Sequence, residues 1–300
     1  MSERGEPDGE PEGAGEGGPE SAWVGFGLDQ VELQYGVATD VGLVRQVNED
    51  SLLADPPVFV VADGMGGHDG GDIASRIVVE EFGRLADAGY DPRHGSDVVL
   101  ATLRACQRRL LEYGATHRGR DGAPWHGGTT TVVALVVQGD HGPRWLLANL
   151  GDSRIYRFTA GELVRVSTDH SVVQGLVDSG RITEEQAIHH PERHIVTRAL
   201  GGPDPLDPDF FSLSLADAER VLLCSDGVTD LIRDEEIARL LAENADPGDA
   251  ADRVVAAALE AGGVDNATAV VVDVVGLADE RSSDSRRQRE SPHEKPGVLP

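Results

Sequence analysis

Cysteine, lysine and aromatic residues are scarce in this chain of 300 residues, and so is positive charge. Its two cysteines, Cys106 and Cys224, lie far apart inside apolar segments, and neither belongs to a Cys-x-x-Cys pair. That argues against a disulfide framework and against a cysteine-ligated zinc site. Lys295 is the only lysine, and 26 Lys and Arg stand against 53 Asp and Glu, a formal net charge of −27. A surface this acidic repels phosphate backbones and anionic lipid, so neither nucleic acid nor membrane is an expected partner. No apolar run reaches the roughly 18 residues that a membrane span requires. The opening MSERGEPDGE carries no apolar signal core behind a basic head. These absences lead us to expect a soluble, cytoplasmic protein.

What is present falls into three stretches. Residues 1–32 are mostly Gly, Glu, Pro, Ser and Asp, with Trp23, Val24 and Phe26 the main apolar interruptions. Such a composition buries too little surface to offset its ordering entropy and predicts a disordered acidic tail. A second charged tail is expected over 279–300. The body, 33–278, shows no internal repeat and no linker. Strand-like runs fall at 34–39, 51–54, 58–62, 129–137, 144–158, 161–167, 220–225 and 267–275, with a hairpin around Thr159-Ala160-Gly161. Helical patterns fall at 71–88, 95–115, 234–243 and 248–261; in the second, Val99, Leu103, Cys106, Leu110 and Tyr113 share one face. Strands in the middle with long helices before and after suit an α+β sandwich, with helices outside two sheets. Residues 171–200 are polar and helical in pattern, and read as a lobe beside a site.

The acids fall at the ends of strand-like runs. Glu49 and Asp50 precede the run at 51–54, and Asp63 follows the run at 58–62 and leads into Gly64-Met65-Gly66-Gly67. Asp152 follows Gly151, Asp226 follows the run at 220–225, and Asp265 precedes the run at 267–275. Three of these acids sit next to a glycine, which a close backbone approach to an ion or phosphate requires and a solvated acid does not. Carboxylates gathered together repel one another unless a cation neutralises them. An all-oxygen set selects hard ions, Mg²⁺ or Mn²⁺ rather than Zn²⁺. The pattern suggests a two-metal hydrolase.

The same residues carry a resemblance. The segment Thr39-Asp40-Val41-Gly42-Leu43-Val44-Arg45-Gln46-Val47-Asn48-Glu49-Asp50 resembles the opening motif of metal-dependent PP2C-type (PPM) serine/threonine protein phosphatases. Val61-Ala62-Asp63-Gly64-Met65-Gly66-Gly67-His68 is similar to their central motif in its bacterial form. Gly128-Thr129-Thr130, Gly151-Asp152-Ser153-Arg154, Ser225-Asp226-Gly227 and Asp265-Asn266 resemble the later motifs, in the family's order. The resemblance covers about 33–278. It implies a four-layer αββα sandwich, two antiparallel sheets flanked by helix pairs, with the lobe at 171–200 as a small flap. It also implies a binuclear Mn²⁺ or Mg²⁺ centre in which Asp63 bridges two ions. Asp226 and Asp265 would complete one ion's shell, and Glu49 with the Gly64 carbonyl the other's. Asp50 would order the waters, Asp152 with Asp226 would serve a third, weaker ion, and Arg45 would bind the phosphate through its planar fork.

The implied reaction is hydrolysis of phosphoserine and phosphothreonine by a water or hydroxide held between the two ions, with no covalent phosphoenzyme. The expected partners are phosphorylated proteins, and serine/threonine kinases whose action would be reversed; the expected state is a monomer. No Cys-x5-Arg loop follows Cys106 or Cys224, so both read as small core residues. Some family members carry a histidine right after the Asp-Gly pair, as the acid that protonates the leaving oxygen; here that position is Met65. His170, His68 and the flap's His194 are then the candidate acids or flap contacts, with Arg198 a further residue that would face a phosphopeptide. A binding-only relative that keeps the fold without turnover would typically lack one or more of these acids, and none is missing here. A narrower alternative is a hydrolase devoted to one regulatory partner.

Overall fold

The computed structural model of the chain describes residues 20–26, 29–66, 70–119, 122 and 124–279. In chain order the first half holds β1 (Glu20–Phe26), β2 (Asp29–Asp40), β3 (Ser51–Asp55), β4 (Val58–Ala62), β5 (Gly64–Met65) and α1 (Gly71–Ala88). A 3-10 turn, Pro92–His94, leads into α2 (Gly95–Thr116), followed by β6 (Gly128–Thr129), β7 (Thr131–Gly139) and β8 (Gly142–Leu150). Then come β9 (Arg154–Thr159), β10 (Glu162–Arg165), α3 (Val172–Asp178), α4 (Glu184–Ile188) and β11 (Asp209–Ser214). The chain continues through β12 (Arg220–Cys224), α5 (Asp226–Thr229), α6 (Asp234–Glu243), α7 (Pro247–Glu260) and β13 (Ala267–Asp279).

Two antiparallel sheets dominate. One has the order β1-β2-β13-β12-β9-β10 and the other β11-β8-β7-β4-β3, while β5 and β6 form a small ribbon. Every residue of β4 is buried, and its side chains divide by the two-residue period of a strand. Phe59 and Val61 enter an apolar layer shared with Val132, Trp145, Ile155, Val221 and Val270, which lies between the sheets. Val58, Val60 and Ala62 point the other way, against Val78 and Phe82 of α1 and Val99, Leu103 and Leu110 of α2. On the outer face of the other sheet, Leu222, Cys224, Ala269 and Val271 pack with Ile237 and Leu241 of α6 and Val254 of α7. Three apolar layers between four layers of structure make the expected αββα sandwich. The hairpin at 159–161 is present, with Ala160 and Gly161 at φ +53° and +82°, as a primed turn between β9 and β10 requires.

Three boundaries differ from the sequence reading. The expected tail at 1–32 is corrected over 20–26 and 29–32, which form β1 and the start of β2. Val24 pairs with Val31 in register, and Val31 is fully buried between the sheets. The few apolar residues there are therefore part of a hairpin rather than interruptions of a solvated segment. Residues 1–19 and 280–300 lie outside the described residues, and β13 continues to Asp279. The run at 144–158 is two strands, broken at 151–153, and Asp152 lies in the break, at the strand end expected of it. Strand β11 is not among the strand-like runs of the sequence; it follows Pro205, Asp207 and Pro208, which favour a loop. Its pairing with the buried β8 overrides that local signal. Within 171–200, α3 and α4 contain no buried residue, and α4 opens on a capping box between Thr183 and Gln186.

Candidate metal centre

The strand ends that carry the acids converge. Glu49 and Asp50 lead into β3, Asp63 leaves β4, Asp152 follows β8, Asp226 follows β12 and opens α5, and Asp265 precedes β13. Glu49, Asp63, Asp152, Asp226 and Asp265 line one cavity of about 540 Å³, together with Gly64 and Arg45. Both sheets contribute, so the site exists only when the sandwich is closed.

Small residues and hydroxyls hold the acids in place. Gly64 must be glycine, because a Cβ there would lie 2.3 Å from the Gly71 carbonyl oxygen and 2.4 Å from that of Glu49. The Thr130 hydroxyl accepts from the Asp63 N–H at 3.2 Å, and the Thr130 N–H and the Thr129 hydroxyl both donate to the Asp63 carbonyl oxygen. The Glu49 N–H donates to Oδ1 of the buried Asn266 at 2.8 Å. Asp50 does not line the cavity; its Oδ2 accepts from the Ser225 and Thr268 hydroxyls at 2.8 and 2.7 Å. These residues explain why the sequence motifs include Thr, Ser and Asn beside the acids.

The carboxylates are charged against their surroundings. Desolvation first, then the neighbouring Asp226, Asp50 and Asp152, holds the Asp63 carboxyl well above the usual range. Asp226 is raised in the same way by burial and by Asp152, Asp230 and Asp265. Burial pushes Asp50 up to about 6, and burial with Asp169 pushes Asp152 up to about 7. Burial also raises Glu49, opposed by the charge of Arg45. The Arg45 guanidinium donates to Asp265 Oδ2 at 2.6 Å and is half exposed. Arg45 and, from the flap, Arg193 face six acids once Asp230 is counted, which leaves negative charge that protons or external cations must meet. The donors are carboxylate and carbonyl oxygens, so the set fits hard divalent ions such as Mn²⁺ or Mg²⁺.

The flap adds Arg193 and His194 to the cavity wall. His194 Nδ1 lies 3.2 Å from Asp230 Oδ2, and ligand atoms of His194, Asp226 and Asp230 lie within 4.8 Å of one another. Asp230 and Arg193 were not among the expected site residues. The signal for Asp230 was available, because Asp226 and Asp230 stand four apart across a helical turn and share a face. His68 lies outside the described residues.

His170 requires a correction. It is buried and does not line the cavity. Its Nδ1 accepts the Gly151 N–H at 3.2 Å, and its Nε2 lies 3.2 Å from both Asp209 Oδ2 and Arg198 Nη1. Neither nitrogen is turned to a leaving group. Arg198 is drawn to the same place, donating to Asp209 at 3.2 Å rather than facing the cavity. Cys106 and Cys224 are fully buried in separate apolar layers, and burial pushes both thiols up to about 12, as core cysteines require.

Comparison with known proteins accords with this geometry. Residues 44–261 match the family model for protein phosphatase 2C. The chain belongs to the protein phosphatase 2C family. Among phosphatase 2C relatives, the serine/threonine protein phosphatase PstP of Mycobacterium tuberculosis is 39% identical over 243 residues. That match covers 81% of this chain and 45% of PstP, so the chain spans about half the length of this relative. The serine/threonine phosphatase stp of Listeria monocytogenes is 31% identical over 246 residues, covering 78% of this chain and 93% of stp. A solved structure of the catalytic domain of PstP in complex with two manganese ions superposes with a TM-score of 0.69 at 35% identity. It covers 81% of this chain and 99% of that one. The phosphatase 2C family is metal-dependent, and the oxygen donors of the cavity agree with that.

Proposed function

We propose that this chain is a metal-dependent protein phosphatase that hydrolyses phosphoserine and phosphothreonine in other proteins. The observation that carries the reading is the convergence of six carboxylates in one cavity, five of them at strand ends of the two sheets, with only Arg45 and Arg193 as arginines among them. Asp63 is central, raised by three acidic neighbours, and would be shared by two divalent ions, Mn²⁺ or Mg²⁺. Asp226 and Asp265 would hold one ion and Glu49 with the Gly64 carbonyl the other. Asp152 with Asp226 would serve a weaker third. When bound, these ions would supply Lewis acidity at the phosphoryl oxygens and an activated water for attack on phosphorus.

The chain's own groups do the rest. Arg45 offers a planar fork to two phosphoryl oxygens, and is half exposed at the cavity wall, so a phosphoryl group reaches it without rearrangement of the core. Asp50, anchored by two hydroxyls, stands behind Glu49 and Asp63 as an acceptor for ordered water. His194 faces the cavity beside Asp230, and is the imidazole placed to protonate the departing serine or threonine oxygen. Arg193 brings the flap's positive charge toward a bound phosphoprotein.

The reading extends to a cytoplasmic monomer that opposes serine/threonine kinases, an assignment that rests on composition and family. Among the described residues no helix is long and apolar enough to cross a membrane. The test is release of phosphate from para-nitrophenyl phosphate and from a phosphothreonine peptide, with Mn²⁺, with Mg²⁺ and with EDTA. Turnover that requires the ion supports the reading. A folded, ion-loaded chain that hydrolyses neither substrate contradicts it.

A further inference from the structure

We propose that the apolar loop at 41–47, with Val264 beside it, docks an apolar side chain of a phosphoprotein substrate. That side chain would lie one or two residues from the phosphorylated serine or threonine. The inference rests on the phosphatase reading above and extends it from the phosphate to the peptide that carries it.

Leu43, Val44 and Val47 are 70%, 65% and 56% exposed, and Val264 is 52% exposed. Large apolar side chains grouped on a surface otherwise rich in charge mark a place where another molecule binds. The loop is held, not loose. The buried Asn266 amide donates to the carbonyl oxygens of Val41 at 2.9 Å and Val47 at 3.0 Å, and so clamps both ends. Between them the Leu43 N–H donates to the Gly263 carbonyl oxygen at 2.7 Å. Gly42 takes φ +78°, and a Cβ there would lie 2.2 Å from the Asp265 carbonyl oxygen. A loop fixed in this way presents its side chains at little further entropic cost to a ligand.

Position and charge indicate the occupant. Arg45 and Val264 both line the cavity, so the apolar rim begins where the phosphate site ends. Leu43 and Val44 are two and one residues from Arg45, within about 7 Å at Cα, which is the span of two residues of extended peptide. A substrate whose phosphate reaches Arg45 therefore brings its neighbouring residues over this loop. Six carboxylates behind the rim and a net charge of −27 repel an acidic neighbour. An aliphatic one meets matching surface and displaces water from it.

The test uses the full chain loaded with Mn²⁺ and phosphothreonine peptides that differ only in having leucine, serine or aspartate at the two positions on either side. Para-nitrophenyl phosphate, which has no flanking residue, is measured in parallel. We expect leucine peptides to exceed their serine counterparts by about tenfold in kcat/KM, mainly through KM, with aspartate peptides the poorest. The double variant L43S/V44S is expected to narrow the leucine advantage to about twofold while leaving aryl phosphate turnover unchanged. Aryl phosphate turnover without a leucine preference in the wild type overturns the docking inference alone. So does a preference that survives in the double variant. A wild-type dimer that L43S/V44S converts to a monomer overturns it in favour of a second copy of the chain. Absence of ion-dependent aryl phosphate turnover overturns the phosphatase reading, and this inference with it.

Discussion

The carboxylates of the cavity and those of Asp169 and Asp273 are alike in being drawn into the fold and opposite in their company. Asp273 receives Nε and Nη2 of Arg220, each at 2.6 Å, and the same guanidinium donates to the carbonyl oxygens of Leu241 in the last turn of α6 and of Asn244 and Ala245 just after it. Asp169 accepts from Arg154 Nε at 3.0 and 3.1 Å and from Nη2 at 2.7 Å. In both places the chain provides the counter-charge, and at Arg220 every remaining donor has a carbonyl acceptor, so the pairs are structural. In the cavity six acids face two arginines, Arg45 and Arg193, and several are raised by burial and by one another. Acids matched from within hold the fold together, and acids left unmatched wait for a cation from outside.

The largest effect that would break this contrast is at Asp63. Asp63→Asn removes the acid on which the others centre, and kcat/KM should fall on the order of a thousandfold or more. Steady-state hydrolysis of an aryl phosphate measures it. Folding should survive, because the change relieves repulsion in the ion-free chain. The matched pairs should behave in the reverse way. Arg220→Met leaves Asp273 without its partner and opens the C-terminus of α6, which should cost about 3–5 kcal/mol in urea unfolding. Stability unaltered by that substitution would show that the matched pair is not structural.

A smaller effect concerns His170. If it holds the Gly151 turn and the flap root rather than giving a proton to the leaving group, His170→Ala should lower kcat less than tenfold. Loss of a general acid costs about a hundredfold or more. The comparison of kcat for the two imidazoles, His170→Ala against His194→Ala, separates the roles.

The mildest prediction is in pH. In the ion-free chain Asp50 and Asp152 titrate near 6 and 7, above the ordinary carboxyl value near 4. The folded form therefore keeps protons that the unfolded form has already lost. Stability from these groups is present at low pH and is lost as pH rises from about 4 to about 7. Thermal unfolding in EDTA should shift downward across that window, and saturating Mn²⁺ should flatten the slope. A melting temperature that rises through the window in EDTA would contradict the unmatched-acid account.

Much of this was legible in the sequence, and the failures have physical causes. The acids at strand ends and the glycines beside them were readable because burial leaves an unbroken apolar run up to the residue that must turn. Strand β11 was hidden, since its own residues follow prolines and acids and only pairing with β8 stabilises it. The hairpin of β1 and β2 was hidden in a polar composition that a few apolar residues anchor. Spacing along the chain placed His170 next to the flap, but which way its ring faces depends on a hydrogen bond to Gly151, nineteen residues away. Asp230 could have been found from its offset to Asp226, whereas Arg193 could not, because the path of the flap brings it to the cavity.

The most direct test of the central claim is to titrate Mn²⁺ into metal-stripped wild type and Asp63→Asn by calorimetry, counting ions bound. The account predicts about two tight ions for the wild type and the loss of tight binding in the variant, with both proteins folded. Tight binding that survives the removal of Asp63, or a wild type that binds no ion, would contradict it.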